Sequence, residues 1–238
     1  MPFSQLSISG DVLDYYLGLG YYRMNQDLFT CRFLPVGEQL YTVHWLRLVL
    51  SKVQYGSKQR RLFRLNEQFA VTIKPFRLTA EYEALYTRYY ESIDFDASSS
   101  LAEILLAEAT YTVFDTYIVE VRDGKQLIAG GIFDCGNASI AGIVNFYDPN
   151  YRKHSLGKYL MLLKTEYARS QQNTYYYPGY LVHNYPKFDY KLFASLEATE
   201  VFDCQNSQWL PFTWEAVNQQ AAALLPGWLR QDRNGRGG

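Results

Sequence analysis

Apolar and polar positions alternate with two periods along this chain. A short β-rich N-terminal stretch gives way to a longer run in which helices and strands follow one another. Ser9-Gly10-Asp11 forms a polar cap before the apolar-spaced VLDYYLGLG, and Gly18 and Gly20 end that helix. The runs LFTCRFLP and QLYTVHWLRLVL read as strands on either side of a turn at Pro35-Val36-Gly37. SKQRRLFRLNEQF, residues 57–69, is basic and is compatible with a short helix or a loop, and AVTIKPF is a strand stopped by Pro75. Thr79 caps a helix over AEYEALYTRYYESI with acids in its first turn, and Ser100 and Glu103 have capping-box spacing before ILLAEA.

From there the pattern turns to β. TYIVEV and KQLIAGGIFD flank Asp123-Gly124, the residue pair that suits a tight hairpin turn, and ASIAGIVNFYD follows as a third strand. LGKYLMLLKTEYARSQ is a helix with Leu156, Leu160, Leu163 and Tyr167 on one stripe. TYYYPGYLV is a strand, LEATEVFD is a shorter β or irregular stretch, and TWEAVNQQAAALL is a helix capped by Thr213. The pattern predicts a small mixed N-terminal domain over 1–75 and an α/β (α+β) domain over 76–228. The polar, Gly-rich tail 229–238 is expected to be disordered.

Composition narrows the classes. With 48% hydrophobic and 20% charged residues over 238 positions, the chain is an ordinary globular sequence. Its formal net charge of −1 means that any nucleic-acid affinity must come from a local basic patch. Cys31, Cys135 and Cys204 are too far apart to suggest a disulfide framework or a cysteine metal site, and reduced thiols fit a cytoplasmic location. Neither a signal peptide nor a membrane span is expected. The 22 Tyr, 14 Phe and 4 Trp residues are many; packing is the default role of each, with base stacking as the alternative.

Candidate chemistry concentrates where the strand ending at Asp148-Pro149 meets the helix opening at Leu156. A helix start exposes unpaired N–H groups and favours anions. Gly157 allows close backbone approach there, and Arg152, Lys153 and Lys158 add positive charge. The run from Arg152 to Gly157 resembles the Arg/Gln-x-x-Gly-x-Gly loop with which the acetyltransferase-like superfamily wraps the pyrophosphate of coenzyme A, with Ser155 in place of the first Gly. Taken alone, a basic turn capping an amphipathic helix explains the same residues. The surrounding strand–loop–helix–strand order over 142–191 is the context that such a loop requires.

A longer resemblance covers the same segment. FYDPNYRKHSLGKYL and, after one helix, YYYPGYLVHNYPKFDYK are similar to the C-terminal motif block of arginyl-tRNA–protein transferases. Phe146, Tyr147, Asp148, Pro149, Tyr151, Ser155, Leu156, Gly157 and Tyr159 fall on the first motif. Tyr175, Tyr177, Gly179, Tyr180, Lys187, Tyr190 and Lys191 fall on the second. Upstream, Ser57, Arg60, Arg61, Arg64 and Asn66 match the family's basic segment. The pattern departs at Pro178, Tyr185 and Phe188-Asp189. The paired N-terminal cysteines are reduced to Cys31, with Val36-Gly37 near the place of another.

The resemblance implies an acetyltransferase-like (GNAT-like) fold with a mixed central sheet and flanking helices. It also implies transfer of arginine or leucine from aminoacyl-tRNA to the N-terminal amine of an acceptor protein that begins with an acidic residue, marking it for degradation. No cofactor and no metal is implied, because the ester is already activated. Tyr177, Tyr180, Asp189 and Tyr190 are then the expected catalytic groups. Arg152, Ser155, Leu156, Gly157, Lys158, Gly179, His183, Lys187 and Lys191 are expected to hold substrates, and Lys58, Arg60, Arg61 and Arg64 to clamp the tRNA. An acyl-CoA-dependent N-acyltransferase and a non-catalytic binding module on the same fold are the alternatives. No metal-ligand spacing joins His44, His154 and His183, and Gly-x-Ser-x-Gly is absent.

Overall fold

The computed structural model describes residues 7–94 and 97–234, with side chains as far as 224. The elements run α1 (Gly10–Gly18), β1 (Tyr22–Met24), β2 (Asp27–Phe29), β3 (Phe33–Val36), β4 (Gln39–Val49), α2 (Ser57–Asn66), β5 (Ala70–Pro75), α3 (Ala80–Tyr90) and α4 (Leu101–Leu105). They continue with β6 (Thr116–Asp123), β7 (Gln126–Cys135), β8 (Ser139–Tyr147), α5 (Leu156–Ser170), β9 (Tyr175–Val182), β10 (Thr199–Asp203), β11 (Gln208–Pro211) and α6 (Trp214–Asn234). The basic run left open between helix and loop is the helix α2. The run LFTCRFLP is broken into β2 and β3 instead of one strand, and α4 stops at Leu105. The backbone of α6 reaches into the stretch 229–238 expected to be disordered, and 235–238 lie outside the described residues.

One nine-stranded sheet organises the chain in the order β11-β10-β4-β9-β8-β7-β6-β5, with β3 paired to β4. β4, from the segment 1–75, lies between β9 and β10 in the middle of this sheet, so the two expected domains share it. Side-chain alternation covers both faces. Ile118, Ile132 and Phe146 pack with Tyr82, Leu85, Tyr86, Leu101 and Leu105 from α3 and α4. Val119, Val121 and Phe133 pack with Leu156, Tyr159, Leu160 and Leu162 from α5. The result is the mixed sheet with flanking helices expected of a GNAT-like fold.

The pair β8–β9 is parallel and runs for only three partners, Ser139↔Tyr175, Ile140↔Tyr176 and Ala141↔Tyr177. Both strands then bulge at once. The register of β8 against β7 shifts between Ile132↔Val144 and Phe133↔Gly142, leaving Ile143 as an extra residue. That of β9 against β4 shifts between Leu46↔Gly179 and Leu48↔Tyr176. Pro178 sits inside this second bulge, where a residue without an N–H is tolerated, and Gly179 adopts φ +102°. Each bulge bends its strand, and the two strands part after Ala141 and Tyr177. The opening between them is the cleft described next.

Candidate functional site

The cleft has an outer chamber of about 750 Å³ and an inner chamber of about 280 Å³. Tyr89, Ile93, Asn145, Tyr180, Phe188 and Tyr190 line both and form the shared wall. The outer chamber opens at the start of α5. Asp148 Oδ1 accepts the Asn150 N–H at 2.9 Å and starts a tight turn over Pro149–His154. Ser155 follows in the left-handed conformation, φ 48° and ψ 47°. Its hydroxyl makes no capping bond, so the first amides of α5 have no side-chain cap. Arg152, Ser155, Gly157 and Lys158 line this mouth, while Leu156 is fully buried in the core and does not line it. A Cβ on Gly157 would lie 3.3 Å from the Tyr147 ring. The hairpin residues Leu34, Pro35, Val36 and Gly37 close the far side.

The basic helix α2 is fastened to this mouth. Asn66 Nδ2 donates to the His154 carbonyl at 3.1 Å, and Asn66 Oδ1 lies 3.2 Å from His154 Nδ1. Gln59 Nε2 donates to the Phe193 carbonyl at 2.6 Å, and Lys158 Nζ lies 5.0 Å from the Phe193 ring centre. Lys58, Arg60, Arg61 and Arg64 are exposed on this helix, with Arg60 also donating to the Tyr55 carbonyl. Arg152, Lys153 and Lys158 are likewise exposed in the turn and helix start that α2 is fastened to.

The inner chamber carries two buried lysines. Lys191 Nζ donates to the Tyr180 carbonyl at 2.7 Å and lies 4.6 Å from the Tyr180 ring centre and 4.8 Å from that of Phe188. Gly179 makes room for it, since a Cβ there would stand 3.2 Å from Nζ. Lys164 Nζ, on α5, donates to Asn145 Oδ1 at 2.8 Å. Burial pushes both amines down to about 7. Tyr190 keeps 40% of its surface accessible, but it lines both chambers, and burial pushes its hydroxyl up to about 12. Among the described residues, no Asp or Glu lines either chamber, whereas Arg152, Lys158 and Lys187 line the outer one and Lys164 and Lys191 the inner.

The expected site residues separate by strand parity. Tyr176, Pro178 and Tyr180 line the inner chamber, so Tyr177 points the other way. It packs among Trp45, Tyr22 and Phe202, with Trp209 edge-on at 5.6 Å, and burial pushes its hydroxyl up to about 12. Asp189 is half-buried and lines neither chamber; burial raises its carboxyl. His183 bonds Asn218 at 2.9 Å and faces His44 beneath α6, away from both chambers. Lys187 lines the outer chamber and pairs with Asp94 at 2.9 Å.

Lys164, Asn145, Tyr176 and Tyr89 belong to the cleft and were not singled out from the sequence. Lys164 left one signal, a cation at helical spacing from Leu160, Met161 and Ala168 on a buried face. The three cysteines are free, and no described helix is long and apolar enough to cross a membrane.

The sequence profile described as "Arginine-tRNA-protein transferase, C terminus" matches residues 81–200, just over half of the chain and nearly all of the cleft. This chain belongs to the arginine-tRNA-protein transferase family. The transferase is 30% identical over 174 residues to an aspartate/glutamate leucyltransferase of Saccharophagus degradans, covering 70% of each chain. It is 28% identical over 166 residues to one of Nitrosococcus oceani, covering 68% of each. Among solved structures, that of FemX is similar at a TM-score of 0.49 and 10% identity, over 79% of the transferase and 65% of FemX.

Proposed function

We propose that this transferase moves leucine from leucyl-tRNA to the N-terminal amine of an acceptor protein that begins with an acidic residue, and so marks the acceptor for degradation. The observation that carries this reading is the basic lining of the cleft: Arg152, Lys158, Lys164 and Lys191 line it without a carboxylate partner among the described residues, beside Lys187, which Asp94 pairs. Such a cleft suits the phosphates of a tRNA 3′ end and an acidic acceptor. It offers an arginyl side chain only like charge, while Leu34, Pro35 and Val36 give an apolar surface for leucine.

The reaction breaks the ester between the aminoacyl carbonyl and a ribose oxygen and forms an amide with the acceptor nitrogen. The amine attacks in its neutral form, which an α-amine of pKa about 8 supplies at pH 7. The outer chamber holds the terminal nucleotide, with Arg152, Lys158 and the first amides of α5 on its phosphate and α2 on the acceptor stem. Tyr180 and Tyr190 remain protonated and donate to the oxyanion of the tetrahedral intermediate. Lys191, whose amine is half neutral near pH 7, takes the acceptor's proton, and that proton leaves on the ribose hydroxyl.

The test is a transfer assay with labelled leucyl- and arginyl-tRNA, a peptide beginning with Asp, and acetyl-CoA as an alternative donor. Leucine is expected on the peptide. Failure with both charged tRNAs, together with acetylation of the peptide, overturns the proposal in favour of an acyl-CoA enzyme.

A further inference from the structure

The inner chamber holds two buried lysines without a counter-ion among the described residues. Lys164 is 1% exposed, and one of its three donors is bound, to Asn145 Oδ1 at 2.8 Å. Neither Lys164 nor Lys191 pairs with a described carboxylate. A buried ammonium without a partner is costly, and an apolar side chain of the same length fills the same space without that cost. The lysine therefore makes sense as half of a pair whose other half arrives with a ligand. Tyr86, Tyr89, Ile93, Ile104 and Tyr176 are among the other residues that line the chamber, and Lys191 is its second cationic group. Its volume of about 280 Å³ lies at the lower edge of ligand pockets, which run from about 300 to 1,000 Å³. That is room for an amino-acid side chain and its backbone.

On the transferase reading above, on which this step rests, we infer that the inner chamber receives the first side chain of the acceptor and that Lys164 Nζ binds its carboxylate. Lys164 is then the residue that sets the preference for an acidic start. Asn145 is its positioning residue, because Asn145 Oδ1 holds Nζ and Asn145 Nδ2 donates to the Gly157 carbonyl at 3.4 Å. A tRNA phosphate is the poorer occupant. The cations beside the open helix start, Arg152 and Lys158, line the outer chamber, which is more than twice as large.

Binding without tRNA isolates this claim. The purified chain is titrated calorimetrically with two peptides that differ only in a first Asp or Asn. The wild type is expected to bind the Asp peptide about 30-fold tighter, the worth of a charge-assisted hydrogen bond. In Lys164→Met and Lys164→Gln that ratio is expected to fall close to one. Lys164→Met removes a buried ammonium and is expected to melt at or above the wild type. Lys164→Gln keeps a neutral bond to Asn145 and reads the same ratio if the first variant does not fold.

An unchanged ratio in folded variants overturns the inference, as does weaker tRNA binding with the ratio intact. The two readings fail separately. Loss of the ratio in a protein that transfers from no charged tRNA keeps the carboxylate site and overturns the transferase. Transfer by variants with the ratio intact keeps the transferase and overturns the site.

Discussion

The outer and inner chambers share six wall residues and differ in how their cations meet water. Arg152 and Lys158 are exposed on the first turns after β8, beside an equally exposed basic helix. Lys164 and Lys191 are buried, each held by one protein oxygen. Exposed cations act through long-range, salt-screened attraction and are individually replaceable. Buried ones are set by geometry, and each removal is felt at one point of the chemistry. In the proposed mechanism the same charge serves capture in one chamber and discrimination or proton transfer in the other.

The largest effect is expected in the inner chamber. Lys191→Met keeps the length of the side chain and removes the amine between the Tyr180 and Phe188 rings. Loss of a proton-transfer group costs about 10²–10⁴-fold in rate. Single-turnover transfer from labelled leucyl-tRNA at saturating peptide is expected to fall within that range while tRNA affinity holds. A loss confined to tRNA affinity makes Lys191 a capture residue and erases the contrast between the chambers.

The outer face is expected to respond to salt. Neutralising Arg61 and Arg64 to Gln removes two exposed cations that the proposed mechanism sets against phosphates, and each such contact contributes about 0.7–0.9 to the slope of log affinity against log salt. The slope of tRNA binding is expected to flatten by about 1.5. Affinity at low salt is expected to fall about 10–100-fold, with little change in single-turnover rate at saturation. An unchanged slope makes α2 a solvated surface and moves the tRNA elsewhere.

A smaller effect separates the chambers without any ligand. Folded Lys164 loses its proton near pH 7, whereas an unfolded lysine keeps it to about pH 10.4. Between those values the unfolded chain binds more protons, so the unfolding free energy rises with pH. Below pH 7 both forms are protonated and the contribution is flat. Above about pH 10 the buried Tyr22 and Tyr176, whose hydroxyls burial raises, work in the opposite direction. Denaturant titrations at pH 7.5 and 8.5 are expected to show a rise that Lys164→Met reduces by about 1 kcal/mol. An identical rise in the variant means that the amine titrates as in water.

Much of the frame was legible in the sequence, because local rules govern it. The turn at Asp123-Gly124, the caps at Thr79 and Ser100, and the strand–loop–helix order at 142–191 all appear in place. The mouth of the outer chamber was legible for the same reason, since Arg152, Ser155, Gly157 and Lys158, which line it, are neighbours in sequence. The inner chamber was not. Tyr175, Tyr176 and Tyr177 carry no alternation, so only the packing of β4 and α3 decides which of them turns into the cleft. Lys164 read as one more polar position on an amphipathic helix, because two-sided burial of α5 is a property of the assembled sheet. Leu34–Gly37 reach the cleft across more than 50 positions of chain, a contact that no local pattern carries.

The smallest expected effect concerns the start of α5 at the mouth of the outer chamber. Ser155 holds φ 48°, a conformation that costs a side-chain-bearing residue about 1–2 kcal/mol, while glycine adopts it freely but loses about 0.5–1 kcal/mol more on folding. Because the Ser155 hydroxyl makes no capping bond, Ser155→Ala is expected to be neutral in stability. Ser155→Gly is expected to gain at most about 1 kcal/mol, a rise of about 2–4 °C in Tm. Thermal melts of both variants decide the matter. If Ser155→Ala loses about 1 kcal/mol, the hydroxyl caps α5 in solution. The amides that the outer chamber offers to phosphate are then partly occupied, and capture rests on Arg152, Lys158 and α2 instead of the helix start.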